Sequence, residues 1–239
     1  MDLTREAYDK AVEVLEKCSA KNGFYAAFPG YQGVWARDSV ITSLGASLLG
    51  NKFKKNFGDS LNTLAKNQSE KGQIPNAVMF DVAARSAASI RKSNVAPSRK
   101  NQQELSDVIP KKIDFKSIDS ALWFVIGNYI FKQRYKDNSV FLAQKKNIEK
   151  AIVWLSYQDF SENGMLVQLP TTDWQDAFPH RYGHTINTQA LYFKVLNLIG
   201  KKKEALRLKK IVNDDKEDGL WSGSFYLPWR WKNHNRYHE

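Results

Sequence analysis

The decisive stretch of this sequence is Asp173-Trp-Gln-Asp-Ala-Phe-Pro-His-Arg-Tyr-Gly-His-Thr-Ile-Asn-Thr-Gln-Ala-Leu-Tyr-Phe193, in which a polar cluster runs directly into an apolar segment. Asp173 and Asp176 flank Trp174, and Arg181 follows with two histidines before the segment begins. The apolar residues of the second half recur at helical spacing. The stretch therefore predicts a loop of hydrogen-bonding and ionisable groups at the start of an α-helix.

This loop has the composition of a site that cleaves sugars, which needs an acid, a stacking ring and several hydrogen-bond donors. Asp176 is the candidate general acid, and Asp173 is a helper or a loop cap. Two carboxylates this close repel each other when both are charged, and Trp174 lowers the local polarity, so one of them should hold its proton near neutral pH. The alternative is a pair of solvated loop carboxylates with an Asx turn.

The frame Trp-x-Asp, Arg, Gly and Ala-Leu-Tyr resembles the segment T-W-M-D-A-K, then P-R-x-G-K-P-V-E-I-N-A-L-W-Y, of the amylo-1,6-glucosidases, which debranch glycogen. Alkaline/neutral invertases and glucoamylases have looser versions, so the resemblance is to the clan of six-hairpin glycosidases. Asn187 stands where the debranching pattern has Glu, and Gln189 where it has Asn.

Three further motifs occur in the order of that clan. Trp35-Ala-Arg-Asp38 resembles its W-x-R-D segment, in which Arg37 offers a fork of donors and Asp38 two acceptors for adjacent sugar hydroxyls. The alternative for Asp38 is an ordinary helix N-cap. Ile118-Asp-Ser-Ala-Leu-Trp-Phe124 resembles D-A-T-L-W-F, and the helix dipole should keep Asp119 ionised as an acceptor of sugar hydroxyls. Gly72-Gln-Ile-Pro-Asn76 resembles the loop G-L-I-P-N.

The resemblance implies an all-α (α/α)6 toroid with short β-strands in its loops and an inverting, exo-acting α-glucosidase. It implies an oligosaccharide or α-glucan substrate, no cofactor and no metal. It also implies that the general base is a Glu near the end of the toroid, which nothing after Asp176 matches. The residues expected to contact substrate are Trp35, Arg37, Asp38, Asp119, Asp173, Trp174, Arg181, His184 and Gln189.

Hydrophobic periodicity predicts about seven helices. They are expected over residues 4–19, 38–49, 53–64, 117–130, 141–155, 185–198 and 201–212. Ser117 is positioned to cap the fourth, residues 165–169 alternate like a short strand, and residues 219–231 indicate aromatic strands joined by turns. Residues 77–112 lack periodicity and predict a polar, mobile excursion.

A complete ring of helical hairpins needs well over about 300 residues at roughly 15 residues a helix. Residues 1–239 are therefore expected to be the N-terminal part of a single catalytic domain that lacks the C-terminal half of the toroid and is inactive alone. The alternatives are a carbohydrate-binding fragment without catalysis and a sucrose-cleaving β-fructofuranosidase of the invertase type.

A formal net charge of +11 raises the further alternative of a nucleic-acid-binding protein. The lysines, however, are spread along polar helix faces, which predicts a solvated surface and no nucleic-acid partner. The single cysteine, Cys18, excludes a disulfide framework. The charged N-terminus and the lack of a long apolar run predict a cytoplasmic protein that does not enter a membrane.

Overall fold

The structure is a computed structural model that describes residues 2–80, 110–215, 219–231 and 235–237. In these ranges the chain is mostly helical, which is compatible with an all-α fold. The α-helices are α1 (Leu3–Cys18), α2 (Ala36–Ala46), α3 (Lys54–Lys66), α4 (Asp119–Tyr135), α5 (Ser139–Ala143), α6 (Lys145–Ser156), α7 (Ile186–Leu198) and α8 (Lys202–Val212).

Short strands form three small antiparallel sheets at the ends of these helices. The strands are β1 (Ser19–Ala20), β2 (Gly23–Phe24), β3 (Gly33–Trp35), β4 (Ala77–Phe80), β5 (Pro110–Asp114), β6 (His184–Thr185), β7 (Trp229–Trp231) and β8 (Asn235–Tyr237). They pair in the orders β1-β2, β3-β4-β5 and β6-β7-β8.

The helices form two layers. In the inner layer α4 packs between α2 and α7, and in the outer layer α3, α6 and α8 cover them. The inner helix α4 buries ten of its 17 residues, among them Leu122, Phe124 and Val125, so its apolar residues surround the axis. The outer helices are amphipathic and bury one stripe each, as a surface helix does. The main core therefore lies between the layers, with α4 at its centre.

One structural unit occurs twice: strand, inner helix, outer helix, β-hairpin. The first is β3-α2-α3-β4-β5 and the second is β6-α7-α8-β7-β8. In both, the first amide of the inner helix donates to the residue before the hairpin, Ala36 N to Asn76 O at 2.9 Å and Ile186 N to Pro228 O at 3.2 Å. Arg37 therefore corresponds to Asn187, so the two units differ in charge at the start of their inner helices.

The predicted helices are confirmed, with shifted ends. The fifth predicted helix is divided into α5 and α6. The predicted strand over 165–169 is wrong, because these residues make only an isolated bridge from Gln168 to Gly183. Of the excursion predicted over 77–112, residues 77–80 and 110–112 belong to strands, and residues 81–109 lie outside the described residues.

Two predicted helix caps are also wrong. The N-cap of α2 is Trp35, and Asp38 lies within the first turn. The N-cap of α4 is Ile118, and the hydroxyl of Ser117 instead donates to the Asp119 carboxylate. In both cases a backbone hydrogen bond to another segment sets the start of the helix. Ala36 N donates to Asn76 O, and Ile118 N donates to Thr172 O.

None of the helices in the described ranges combines the length and apolar character needed to cross a bilayer.

Candidate functional site

The starts of α2 and α4 meet at an ion pair. Arg37 Nη1 donates to Asp119 Oδ2 at 2.8 Å, although the two residues are 82 positions apart in the chain. Asp119 is fully buried, and about a quarter of the Arg37 side chain is exposed (24%). Packing of α2 on α4 thus holds the Arg37 guanidinium at the edge of the site. The buried carboxylate of Asp119 orients this planar group.

A second ion pair lies in the loop before α7. Arg181 Nε donates to Asp173 Oδ2 at 3.1 Å, and both side chains are buried. The other oxygen of Asp173 accepts from Gln175 N at 2.9 Å. The loop is tied to the first ion pair because Ile118 N, just before α4, donates to Thr172 O at 2.8 Å. The structure therefore brings the two arginine–aspartate pairs into one cluster.

The pKa of Asp119 is raised, and burial is the main cause. Arg37 and the Ser117 hydroxyl act in the opposite direction, and the negative charge of Asp173 adds to the increase. Burial thus favours the protonated form of the Asp119 carboxyl group. Its two oxygens are bonded to Arg37 and Ser117, so its direct contact with a sugar stays a prediction.

Asp176 lies in a different environment from Asp173. About half of its side chain is exposed (54%), and Lys116 Nζ lies 3.2 Å from its Oδ2. The two aspartates therefore have separate cationic partners. Trp174 between them is half exposed (50%), as a ring that stacks on a ligand would be.

Two polar side chains at the start of α2 make no hydrogen bond within the described residues. Asp38 is partly buried and has no hydrogen-bond or ion-pair partner within the described ranges. The indole nitrogen of Trp35 is buried and makes no hydrogen bond to any described residue, while its ring meets that of Tyr31 edge-on at 5.9 Å. Buried donors usually have acceptors, so an unused one beside a site indicates a place for a ligand or water.

Two residues predicted to contact substrate, Gln189 and His184, bond to the backbone of the protein. Gln189 is buried and brackets the backbone of Leu166, with Nε2 donating to Leu166 O at 2.7 Å and Oε1 accepting from Leu166 N at 3.1 Å. His184 is fully buried, with Nδ1 3.1 Å from the same carbonyl oxygen. These bonds fix the segment 165–169 to α7, and a sugar contact by either residue stays a prediction.

The sequence interpretation missed Lys116 and Ser117, which complete the cluster. They directly precede Ile118 and Asp119, so proximity in the chain could have indicated them. It also missed the aromatic residues of β7, Trp229 and Trp231, which pack against Tyr182. The described residues contain no group of three or more His, Cys, Asp or Glu side chains arranged to hold a metal ion.

Comparison with known proteins connects this arrangement to a fold. No protein-family model and no curated protein sequence matches the chain. Solved structures do match, among them a glycosidase variant, at 14% identity and a TM-score of 0.52, and a second glycosidase variant in complex with glucose, at 15% identity and a TM-score of 0.51. The chain has a glycosidase-like fold.

Each alignment covers 87% of this chain and 55% of the solved structure, so the chain spans about half the length of these glycosidases. The resemblance to amylo-1,6-glucosidases or invertases in particular, and the closed ring of six hairpins, stay predictions.

Proposed function

We propose that this chain supplies the sugar-binding and acid part of an inverting, exo-acting α-glucosidase of the amylo-1,6-glucosidase type, acting on α-glucans. One observation carries the proposal: charged groups from distant parts of the chain converge at the starts of α2 and α4 and in the loop before α7, with Arg37 held on buried Asp119. The glycosidase-like fold supports it, and glucose as the sugar is supported by the neighbour in complex with glucose.

In this proposal Arg37 and Asp38 hold the terminal sugar. Arg37 donates from a rigid fork, and Asp38, with no partner in the described residues, accepts from an adjacent hydroxyl. Trp35 and Trp174 provide ring faces. Asp119 and Ser117 act through Arg37 in this proposal. One oxygen of Asp119 accepts from Arg37 and orients it, and the other accepts from the Ser117 hydroxyl.

Asp176 is the proposed acid because it is the exposed carboxyl of the loop. Its O–H would protonate the glycosidic oxygen as the bond from the anomeric carbon to that oxygen breaks. Water would attack the anomeric carbon from the opposite face and lose a proton to a second carboxylate, which in inverting enzymes lies about 6.5–9.5 Å from the first. The resemblance implies a Glu near the end of the toroid as that base. In the free protein the ammonium group of Lys116 donates to the carboxylate of Asp176. The substrate would have to displace this ammonium group from Asp176.

Sugar binding without hydrolysis is the second candidate. It is favoured by the contact between Lys116 and Asp176 and by the burial of Asp119 and Asp173 against arginines. Among these carboxylates Asp38 alone has no cationic partner in the described residues. Such a site has the groups to hold a sugar but needs a further group to activate water.

Binding and turnover by the purified protein separate these candidates. Glucose, maltose, isomaltose and sucrose are titrated calorimetrically, with duplex DNA at two salt concentrations as a further ligand. Glucose and the α-glucosides should bind, and Arg37→Ala should weaken binding by roughly 1.5–3 kcal/mol, or about 10- to 150-fold in Kd. Arg134→Ala, an exposed arginine at the far end of α4, is the control and should bind normally. Binding of sucrose alone would favour the invertase alternative, and salt-dependent DNA binding without sugar binding would reject both glucosidase and lectin-like functions.

Turnover is then measured on isomaltose and on α-glucosyl fluoride with Asp176→Asn, which keeps the shape of the side chain and removes the acid. Loss of the acid should slow isomaltose hydrolysis by about 10²–10⁴-fold and spare much of the fluoride reaction, whose leaving group needs little protonation. The measurement is made on the chain and on the chain combined with a C-terminal extension that completes the ring. Sugar binding with no turnover in either form would leave the binding function and reject the enzyme.

A further inference from the structure

Five aromatic rings form a row, and the ring at one end, Phe178, follows Asp176 by two residues in the chain. The centroids of neighbouring rings are 5.9 Å apart for Phe178 and His180, 6.4 Å for His180 and Trp229, 5.2 Å for Trp229 and Tyr182, and 4.7 Å for Tyr182 and Trp231. Three of the rings belong to the loop before α7 and two to β7. This aromatic row therefore joins two separate segments of the chain.

Backbone and ionic contacts fix the row in place. Strand β6 pairs with β7 through His184 with Arg230 and Thr185 with Trp229. Arg181 bridges the same two segments, because its Nη1 donates to Pro228 O at 3.3 Å while its Nε holds Asp173. The rings are thus held on a paired strand and a buried ion pair, which suits a surface that must keep its shape.

The row is most buried at its middle ring and most exposed at the end formed by Phe178 and His180. Trp229 is 5% exposed, Tyr182 and Trp231 are half-buried, and Phe178 is 47% exposed with His180 also on the surface. A half-exposed apolar ring lacks part of the free energy that full burial would give. Contact with a ligand would remove more of the ring from water and so recover it. The outer end of the row, Phe178 and His180, therefore has the properties of a stacking platform.

This platform adjoins the proposed acid. Phe178 follows Asp176 by two residues, and Phe178 N donates to Gln175 O at 3.1 Å, so both lie in one tight turn. Trp174 precedes Asp176 by two residues and is half exposed as well. The acid that cleaves a glycosidic bond lies between the two sugars that the bond joins. A ring on each side of Asp176 matches that requirement.

We infer that Phe178 and His180 form a second sugar subsite, which binds the unit on the leaving-group side of the bond next to Asp176. The inference rests on the proposed function. It assigns recognition of the second sugar unit to these two rings, so an oligosaccharide should bind more tightly than a glucoside of a small alcohol. Stacking would recognise the apolar face of that sugar and tolerate its linkage, because an aromatic ring makes no directional bond to the glycosidic oxygen.

The test compares Kd for glucose, methyl α-glucoside, maltose and maltotriose in the wild-type chain and in Phe178→Ala. Wild type should bind maltose and maltotriose more tightly than methyl α-glucoside. Phe178→Ala should weaken binding of the two oligosaccharides by about 3- to 10-fold, the loss of one aromatic contact, and leave glucose unchanged. Phe160→Ala, which removes another exposed ring (59%, against 47% for Phe178) outside the row, is the matched control and should change neither.

The outcomes distinguish the two proposals. If no sugar binds, the proposed function itself fails. If glucose and maltotriose bind equally well, and Phe178→Ala affects both or neither, the second subsite is rejected while glucose binding stands. A change of molecular mass on light scattering in Phe178→Ala, with sugar affinity unchanged, would instead identify the platform as a contact between copies of the chain and overturn the inference.

Discussion

At the residue scale, the buried carboxyl of Asp119 couples the site to pH. Burial raises its pKa against the opposing effects of Arg37 and Ser117. The folded protein therefore binds a proton on this group more tightly than the unfolded chain does. The stabilisation is fully present at low pH and is lost as pH rises from the unfolded carboxyl value, about 3.9, through the folded one.

Asp119→Asn removes this titration while keeping the shape of the side chain. We predict that the free energy of unfolding of wild type minus that of the variant decreases as pH rises from 4 to 8, by at most about 1.4 kcal/mol per pH unit. Urea unfolding at four pH values measures it.

Asp137→Asn is the control of opposite sign. Lys54 and the bonds from Ser139 lower the pKa of Asp137, so its contribution is present above the unfolded value and is lost as pH falls. Because that loss occurs below about pH 4, the Asp137→Asn difference should stay nearly constant from pH 4 to 8 while the Asp119→Asn difference decreases. Parallel curves would show that burial does not govern the proton on Asp119.

At the scale of elements, the loop Gly72-Gln-Ile-Pro-Asn76 is held against α6 by close contact. Gly72 has φ of +98°, and a Cβ at this position would lie 2.3 Å from the carbonyl oxygen of Lys150. Gln68 Nε2 bridges the two parts, donating to Gly72 O at 2.8 Å and to Asn147 O at 2.9 Å. Both the left-handed backbone and the approach of a second backbone require glycine here.

Gly72→Ala should therefore lower the free energy of unfolding by about 1–3 kcal/mol, since backbone strain and overpacking act together. Gly45→Ala is the control: Gly45 lies within α2 with open space around it, and alanine should stabilise the helix by about 0.5–1 kcal/mol. Denaturant titrations of both variants measure the changes. Equal stability of Gly72→Ala and wild type would mean that α6 can shift to admit a side chain.

At the scale of the whole molecule, the helices α1 and α2 present apolar side chains to solvent. Leu3, Tyr8 and Val14 of α1 are 79%, 51% and 57% exposed, and Ile41 of α2 is 46% exposed. Leu48, just after α2, is 72% exposed. An apolar side chain left in water forfeits about 1.5–3 kcal/mol of burial free energy. These faces favour association with other protein surfaces.

We predict that the chain self-associates or unfolds at low denaturant concentration. Light scattering over a range of protein concentrations should give a mass above that of the monomer, and Val14→Lys combined with Ile41→Lys should reduce it. Leu142→Lys, at another exposed apolar position (64%), is the control and should leave the mass unchanged. A sharp, reversible and monomeric thermal transition of the wild-type chain would contradict the prediction.

Most of the helices and the residue types of the candidate site could be predicted from the sequence. Helical periodicity is a short-range property, so α1, α3, α7 and α8 could be recognised from the spacing of their own apolar residues. The polar residues of 173–184 and the segment Trp35 to Asp38 were recognised because they are consecutive. The helix caps at Asp38 and Ser117 were predicted wrongly, since backbone bonds from Ala36 N and Ile118 N to the carbonyl oxygens of Asn76 and Thr172 set those helix starts.

The pairing of these residues depends on tertiary packing. Asp119 lies 82 positions from Arg37, Lys116 lies 60 from Asp176, and the rings of β7 lie some 50 residues beyond the loop they support. A local sequence pattern contains no information on such distances, which depend on how α2, α4 and α7 pack. Packing also set the chemistry: it buried Asp119 and raised its pKa, and it left Asp176 at the surface beside a lysine. Identical side chains acquired different environments because the fold removed water from one and not from the other.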